Sequence, residues 1–238
     1  EDLKNNGDVS VKTRFKLAYK VFEHTSHYDT LIAKFMRERL GEEFFPETLS
    51  LTFEKVQDMR YGENPHQKAV FYRETGSNPG CLTSAVQLHG KELSFNNIND
   101  ANGAIELLKE FDEPAAVIVK HANPCGTATA STIREAYMLA YEADPVSAFG
   151  GIVAVNREID AATAQEINKV FYEIVIAPSF AEDALEILEK KKNIRLLRIE
   201  NITNKIPADT LDMKKVVGGL LMQNYDSELL RSDELKCD

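Results

Sequence analysis

Ala115-Ala-Val-Ile-Val-Lys-His-Ala-Asn-Pro-Cys-Gly126 is the stretch around which the chain is organised. Ala115 to Val119 is a short apolar run, rich in β-branched residues, with Pro114 before it and Asn123-Pro124 and Gly126 after it. Such a run predicts a strand buried on both faces, of the kind found in the middle of a parallel sheet. Lys120 and His121 fall where that strand leaves the core. A turn is expected next, and Thr132-Ile-Arg-Glu135 then opens an amphipathic helix with a capping-box pattern. Ligands of open α/β sheets bind at the carboxyl ends of strands, so a cation and an imidazole placed there are candidates for chemistry. The plain alternative is that Lys120 solvates a strand end and His121 hydrogen-bonds the turn.

Downstream, strand and helix patterns alternate. Helices are expected over about Ile133–Glu142, Ala161–Phe171 (with Thr163-x-x-Glu166 in its first turn) and a stretch capped by Ser179-x-x-Glu182 that reaches about Lys192. Strands are expected at Ile152–Val155, Ile174–Ala177 and Arg195–Ile199, with a last candidate at Val216–Met222 weakened by Gly218-Gly219. This spacing predicts a layered α/β domain with a mostly parallel sheet. Upstream, Asn99 or Asp100 is expected to cap a helix reaching about Phe111. Leu49, Leu51 and Phe53 alternate as a half-buried strand, Ala69 to Tyr72 reads as another, and Thr75 to Gly80 has turn chemistry. Thr13 to Arg39 carries two helical stripes, read as two helices, and Leu40 to Pro46 reads as a linker. Asp233 to Asp238 is charged and lacks an identifiable terminating element.

The 238 residues suffice for one large domain or two small ones, and 43% hydrophobic content supports a sizeable core. Lys plus Arg number 28 against 38 Asp plus Glu, a net charge of −10, so neither nucleic acid nor an anionic membrane is an expected partner. No signal pattern or membrane-spanning run is present. Cys81, Cys125 and Cys237 are far apart and odd in number, which fits a reducing, cytoplasmic setting. The chain begins at Glu1 without Met, which suggests a piece of a longer protein.

Three further stretches bear on chemistry. Arg60-Tyr-Gly-Glu-Asn-Pro-His-Gln67 offers a planar charged fork and a stacking face beside a glycine; a structural turn with a surface Arg is the alternative. Ser147-Ala-Phe-Gly-Gly151 leaves bare backbone before a buried strand. His121-Ala-Asn-Pro-Cys-Gly126 invites a zinc reading, since deaminases pair His-x-Glu with Pro-Cys-x-x-Cys. Asn123 and Ala128 occupy the glutamate and second-cysteine positions, so the ligand set is incomplete and no metal is expected. A Cys125–His121 nucleophile pair has suitable spacing, against the commoner role of Cys as a small buried residue.

Taken in order, Arg60 to Gln67, Leu93-Ser-Phe-Asn-Asn97, Val119 to Gly126, Ser147 to Gly150 and Ile176-Ala-Pro178 resemble the bifunctional AICAR transformylase/IMP cyclohydrolase family over nearly the whole chain. The resemblance implies a cytidine-deaminase-like α/β subdomain. Residues 1–41 would be the helical tail of a cyclohydrolase domain and linker, and residues 42–238 the first subdomain of the transformylase domain. It implies formyl transfer from 10-formyltetrahydrofolate, as co-substrate, to the 5-amino group of the nucleotide AICAR, in a homodimer. His121 matches the family's proton acceptor and Lys120 its transition-state stabiliser. Arg60, Tyr61, Gly150 and Glu173 match nucleotide contacts, and Asn123 is an orienting neighbour. The cyclohydrolase site and the folate-binding half match nothing in this chain, so the piece alone is expected to turn over negligibly. A non-catalytic nucleotide-binding or dimerisation module is the competing expectation.

Overall fold

The computed structural model describes residues 2–41, 45–76 and 79–227. Asp233 to Asp238, Cys237 and the centre of the expected Leu40–Pro46 linker lie outside the described residues. The chain divides into two compact units, Glu1–Gln57 with Tyr72–Gly76, and Asp58–Phe71 with Ser77–Asp238.

The first unit is dominated by one helix. After α1 (Asp2–Asn6), α2 runs without interruption over Val11–Leu40. Two helices were expected here. No Gly or Pro falls between residues 11 and 40, so nothing breaks the hydrogen-bond ladder. Ser10 caps the start by accepting from the Thr13 N–H, and Gly41 ends the helix at φ 66°, its N–H donating to the Arg37 carbonyl. None of its residues is buried. Strand β1 begins at Phe53 rather than Leu49 and runs to Met59; it pairs with β2 (Ala69–Glu74) in a two-stranded ribbon. An Arg73–Glu54 ion pair at 2.9 Å ties the ribbon's exposed face.

The second unit holds a six-stranded sheet. Its elements are β3 (Val86–His89), α3 (Phe95–Leu108), β4 (Ala115–Lys120), β5 (Asn123–Thr129), α4 (Ile133–Ala143), α5 (Pro145–Ala148), β6 (Ile152–Val155), α6 (Ala161–Asn168), β7 (Ile174–Ala177), α7 (Glu182–Leu188) and β8 (Arg195–Arg198). The strand order is β3-β8-β7-β6-β4-β5. Strands β5, β6, β7 and β8 point one way, and β3 and β4 the other. The layered α/β class is therefore as expected. The surroundings of β4 are not: both its neighbours run antiparallel to it, because a hairpin, and not a helix crossover, follows Lys120.

Alternation along each strand sorts side chains to two faces. Ala116, Ile118, Val153, Val155, Val175, Ala177 and Leu196 pack under α4, α6 and α7. Ala115, Val117, Val119, Ile152, Ala154, Ile174, Ile176 and Leu197 pack against Ala101, Ala104, Ile105 and Leu108 of α3. Both faces of the middle strands are dry, which accounts for their unbroken apolar sequence. Each buried Ile or Val here contributes about 1.5–3 kcal/mol.

The caps show where local pattern was outvoted. Thr132 caps α4 as expected, accepting from the Glu135 N–H. Helix α3 starts earlier than Asn99: Ser94 is its cap, in a reciprocal box with Asn97. Asp160 caps α6. Ser179 caps nothing; its hydroxyl donates to Glu158, and α7 starts after Ala181. The last candidate strand is a hairpin of β9 (Leu211–Val216) and β10 (Gly219–Asn224), with Gly218 at φ 77° turning the chain.

Candidate functional site

Strand β4 ends at Lys120 and returns at once as β5, with Lys120 paired to Asn123. His121 and Ala122 are the two loop residues, at φ 52° and 60°. A two-residue hairpin loop with both residues left-handed is normally built from Asn-Gly or Asp-Gly. Neither residue here is glycine, so the turn holds strain of about 1–3 kcal/mol per residue. Asn123 braces it, its side-chain amide donating to the His121 carbonyl at 2.8 Å.

Because β4 opposes β6, the carboxyl end of β4 meets the amino ends of the three parallel strands. Val119 pairs with Ile152, Ile152 with Ile174, and Ile174 with Arg195. The carboxyl ends of β3 and β4 thus share this rim with the amino ends of β5, β6, β7 and β8. Along this rim lie Gly150 and Gly151 just before β6, Glu173 just before β7 and Arg195 at the start of β8. The Glu173 N–H donates to the Gly151 carbonyl at 2.9 Å, and the Arg195 N–H to the Glu173 carbonyl at 3.0 Å.

Lys120 is partly buried, and its ammonium donates to the Phe149 carbonyl at 2.7 Å. One of its three protons is so used, which leaves two for a ligand. Gly150, at φ 70°, holds the close approach open: a Cβ there would lie 2.9 Å from Lys120 Nζ. Its N–H donates to the Phe171 carbonyl at 2.7 Å. The Glu173 carboxylate accepts from the Asn97 side chain at 2.8 Å and lies 3.6 Å from the Arg195 guanidinium. Arg195 also donates to the carbonyls of Lys91 and Glu92. Behind Glu173, the buried hydroxyls of Tyr172 and Tyr137 meet at 3.1 Å, and burial pushes the Tyr137 hydroxyl up to about 12.

Lys120, His121, Asn123, Gly150 and Glu173 are thus brought to one sheet end. Arg60 and Tyr61 are elsewhere in the bonding pattern. Their loop closes on itself through Gly62 N–H to the Gln67 carbonyl (2.9 Å) and Gln67 N–H to the Asn64 carbonyl (3.0 Å). The Arg60 guanidinium lies 5.6 Å from the Tyr61 ring centroid. Among the described residues no hydrogen bond or ion pair joins that loop to the Lys120 rim.

Two residues at the rim escaped sequence reasoning. Asn97 was quoted only within a motif, although a buried Asn at the third position of a capped helix is a recognisable polar outlier. Asp100 was read as a cap; it sits inside α3, facing the hairpin turn. Cys125 is the extra residue of a bulge opposite Ile118 and Val119, and its thiol donates to the Ile118 carbonyl at 3.5 Å. Burial pushes that thiol up from its ordinary value, the opposite of an activated nucleophile. Cys125→Ala is expected to keep any turnover at this rim within about threefold of the parent, since only packing is lost; a loss beyond a hundredfold would restore the nucleophile. Among the described residues there is no group of three or more His, Cys, Asp or Glu placed to hold a metal, and no helix is long and apolar enough to cross a membrane.

Fold and rim together define a layered α/β domain of the kind that presents a small-molecule site at a sheet end. The chain belongs to the AICARFT/IMPCHase bienzyme family, whose model matches residues 1–238. It is similar to the bifunctional purine biosynthesis protein PurH of Acetivibrio thermocellus, 75% identical over 99% of this chain and 46% of the relative. The PurH protein of Ruminiclostridium cellulolyticum is 71% identical over 99% of the chain and 46% of its own length. That of Bacillus cereus is 57% identical over 95% of the chain and 44% of its own length. The chain therefore spans about half the length of the curated relatives it matches.

Proposed function

We propose that this chain carries the amine-activating part of a formyl-transfer site in purine biosynthesis. The acceptor is the 5-amino group of AICAR and the donor 10-formyltetrahydrofolate. The amine is a poor nucleophile because its lone pair delocalises into the ring and carboxamide. As its nitrogen bonds the formyl carbon, it loses a proton to His121, and the C–N10 bond of the donor breaks, with the folate nitrogen taking a proton. Negative charge gathers on the formyl oxygen, where the Lys120 ammonium has donors to spare. Arg60, Tyr61, Gly150 and Glu173 are assigned to the nucleotide, and Asn123 to orienting the turn.

The observation that supports this best is the exposed His121 on a strained two-residue turn, next to a cation fixed by Phe149 and accommodated by Gly150. A stability-driven sequence would place Asn-Gly there. Family membership supports the remaining assignments. The helical segment 1–41 is the tail of a cyclohydrolase domain, and 42–238 the first transformylase subdomain. Ring closure to IMP belongs to parts of the relatives outside this chain. The full-length protein is a cytoplasmic homodimer, and this chain alone turns over negligibly.

A non-catalytic nucleotide-binding or dimerisation module is the second reading. It is favoured by Lys120 already having a backbone partner, as a structural strand-end lysine would. A structure of AICAR bound to the full-length bienzyme separates the two. The 5-amino nitrogen is expected within about 3 Å of a His121 ring nitrogen. Nucleotide bound with its amine out of reach of His121, while the phosphate engages Arg60, would sustain the module and end the catalytic assignment.

A further inference from the structure

We propose that Asn97 is a positioning residue for Glu173: it pins one carboxylate oxygen and leaves the other for a donor group of the nucleotide. This rests on the assignment of Glu173 to the nucleotide. Three observations carry it. First, the amide of Asn97 cannot be turned over. The residue is buried, at 5% exposure. Its Oδ1 accepts from the Ser94 N–H at 3.1 Å, and its Nδ2 donates to Glu173 Oε2 at 2.8 Å. A backbone N–H only donates and an ionised carboxylate only accepts, so the two neighbours fix which end of the amide faces which.

Second, capping alone does not call for Asn. Glu or Gln usually closes a capping box at this position, and a carboxylate there also gains from the helix dipole. The cap needs only an acceptor for the Ser94 N–H, which Asp supplies as well. Asn gives up the charge and adds a donor, and that donor ties the first turn of α3 to the residue before β7. Third, both partners of Glu173 take the same oxygen. Arg195 Nη1 lies 3.6 Å from Oε2, the atom that Asn97 already holds. The guanidinium is itself fixed, since its Nε donates to the Lys91 and Glu92 carbonyls. The Glu173 side chain is 44% exposed, and Oε1 is left to accept from a hydroxyl or N–H of a ligand. A half-exposed glutamate is otherwise free to change rotamer, and pinning Oε2 from two sides removes that freedom before the ligand arrives. Asn97 therefore acts through Glu173.

The test is made in the full-length bienzyme, with the dissociation constant for AICAR read by titration calorimetry. Asn97→Asp keeps the acceptor for the Ser94 N–H and sets a carboxylate against Glu173; affinity is expected to fall about tenfold or more. Ser94→Ala removes the hydroxyl that accepts from the Asn97 N–H and leaves the Asn97–Glu173 bond in place. Its thermal stability is expected to fall, with affinity within about twofold of the parent. Adding Glu173→Gln to Asn97→Asp exchanges donor and acceptor, so that the bond re-forms and a carbonyl oxygen is still left for the ligand. The double variant is expected to bind AICAR about threefold or more tighter than Asn97→Asp, a recovery that a merely structural role of Asn97 does not produce. A crystal structure of Asn97→Asp at pH 8 reads the hold directly, with the Glu173 carboxylate displaced from residue 97. Affinity within about twofold of the parent in Asn97→Asp, while Glu173→Ala weakens it, overturns the proposal. So does an equal loss of affinity in Ser94→Ala and Asn97→Asp, which would place the effect in the α3 cap. If Glu173→Ala leaves affinity unchanged and the carboxylate still moves in Asn97→Asp, the hold stands and the nucleotide assignment of Glu173 falls. A carboxylate that stays in place overturns the hold itself.

Discussion

His121→Ala in the full-length bienzyme is expected to lower kcat for formyl transfer by about 10²–10⁴, with KM for AICAR changing by less than about fivefold. The size follows from what a positioned base contributes when an amine must shed a proton as it attacks. The small change in KM follows from position: His121 is exposed on the hairpin loop, and the contacts assigned to the nucleotide come from other segments. Stability should change by less than about 1 kcal/mol, because His121 is exposed and no buried contact is lost. A single-turnover measurement isolates the chemical step. Activity within a few-fold of the parent would remove His121 from the chemistry and leave the non-catalytic module as the better account.

Gly126→Ala is expected to destabilise the chain by about 3 kcal/mol or more, enough to cost most of the soluble yield. Gly126 lies in β5, buried, with α4 packed onto it. A Cβ at that position would sit 1.8 Å from the Ala140 carbonyl oxygen and 2.8 Å from its carbon. Both are backbone atoms in the middle of a capped helix, so neither can turn aside as a side-chain tip would. Relief requires moving α4 off the sheet, which uncovers Ala136, Tyr137 and Ala140. Urea unfolding measures the effect. Gly218→Ala is the control: its Cβ meets nothing within 4 Å, and only the φ of 77° opposes it, a cost of about 1 kcal/mol. If the two substitutions cost the same, helix α4 does not approach β5 as closely as described.

The contrast between these two glycines shows what is local and what is not. Gly218-Gly219 stands out in sequence because a glycine pair weakens the single strand expected over Val216–Met222, and the structure makes it the turn of a hairpin. Gly126 looks like more of the same, a glycine closing the Asn-Pro turn. Its true constraint is helix α4, whose Ala140 folds back over it, and no short-range pattern encodes that contact. The hairpin β4–β5 was missed for a related reason. His-Ala is a poor two-residue turn, and Pro124 argued against a strand. The strand survives because β5 is the sheet's edge and a bulge at Cys125 absorbs the irregularity.

The candidate site residues divide in the same way. Lys120 and His121 were legible because they interrupt an apolar run at its end. Gly150 was legible because paired glycines precede another such run. Glu173 came only through family resemblance, and Asp100 was misassigned as a cap, because a carboxylate in a helix gives no sign of which turn it will face.

The sequence alone determined the α/β class, the buried strands and the identity of the Lys-His pair, since period-two and period-3.6 patterns and a polar break in an apolar run are local signals. Only the tertiary structure decided that β4 runs against its neighbours. That reversal carries Lys120 and His121 to the amino ends of β6, β7 and β8, where Gly150, Glu173 and the Asp100 turn of α3 can meet them. The direction of a strand depends on partners tens of residues away, and hydrophobic patterning is blind to it.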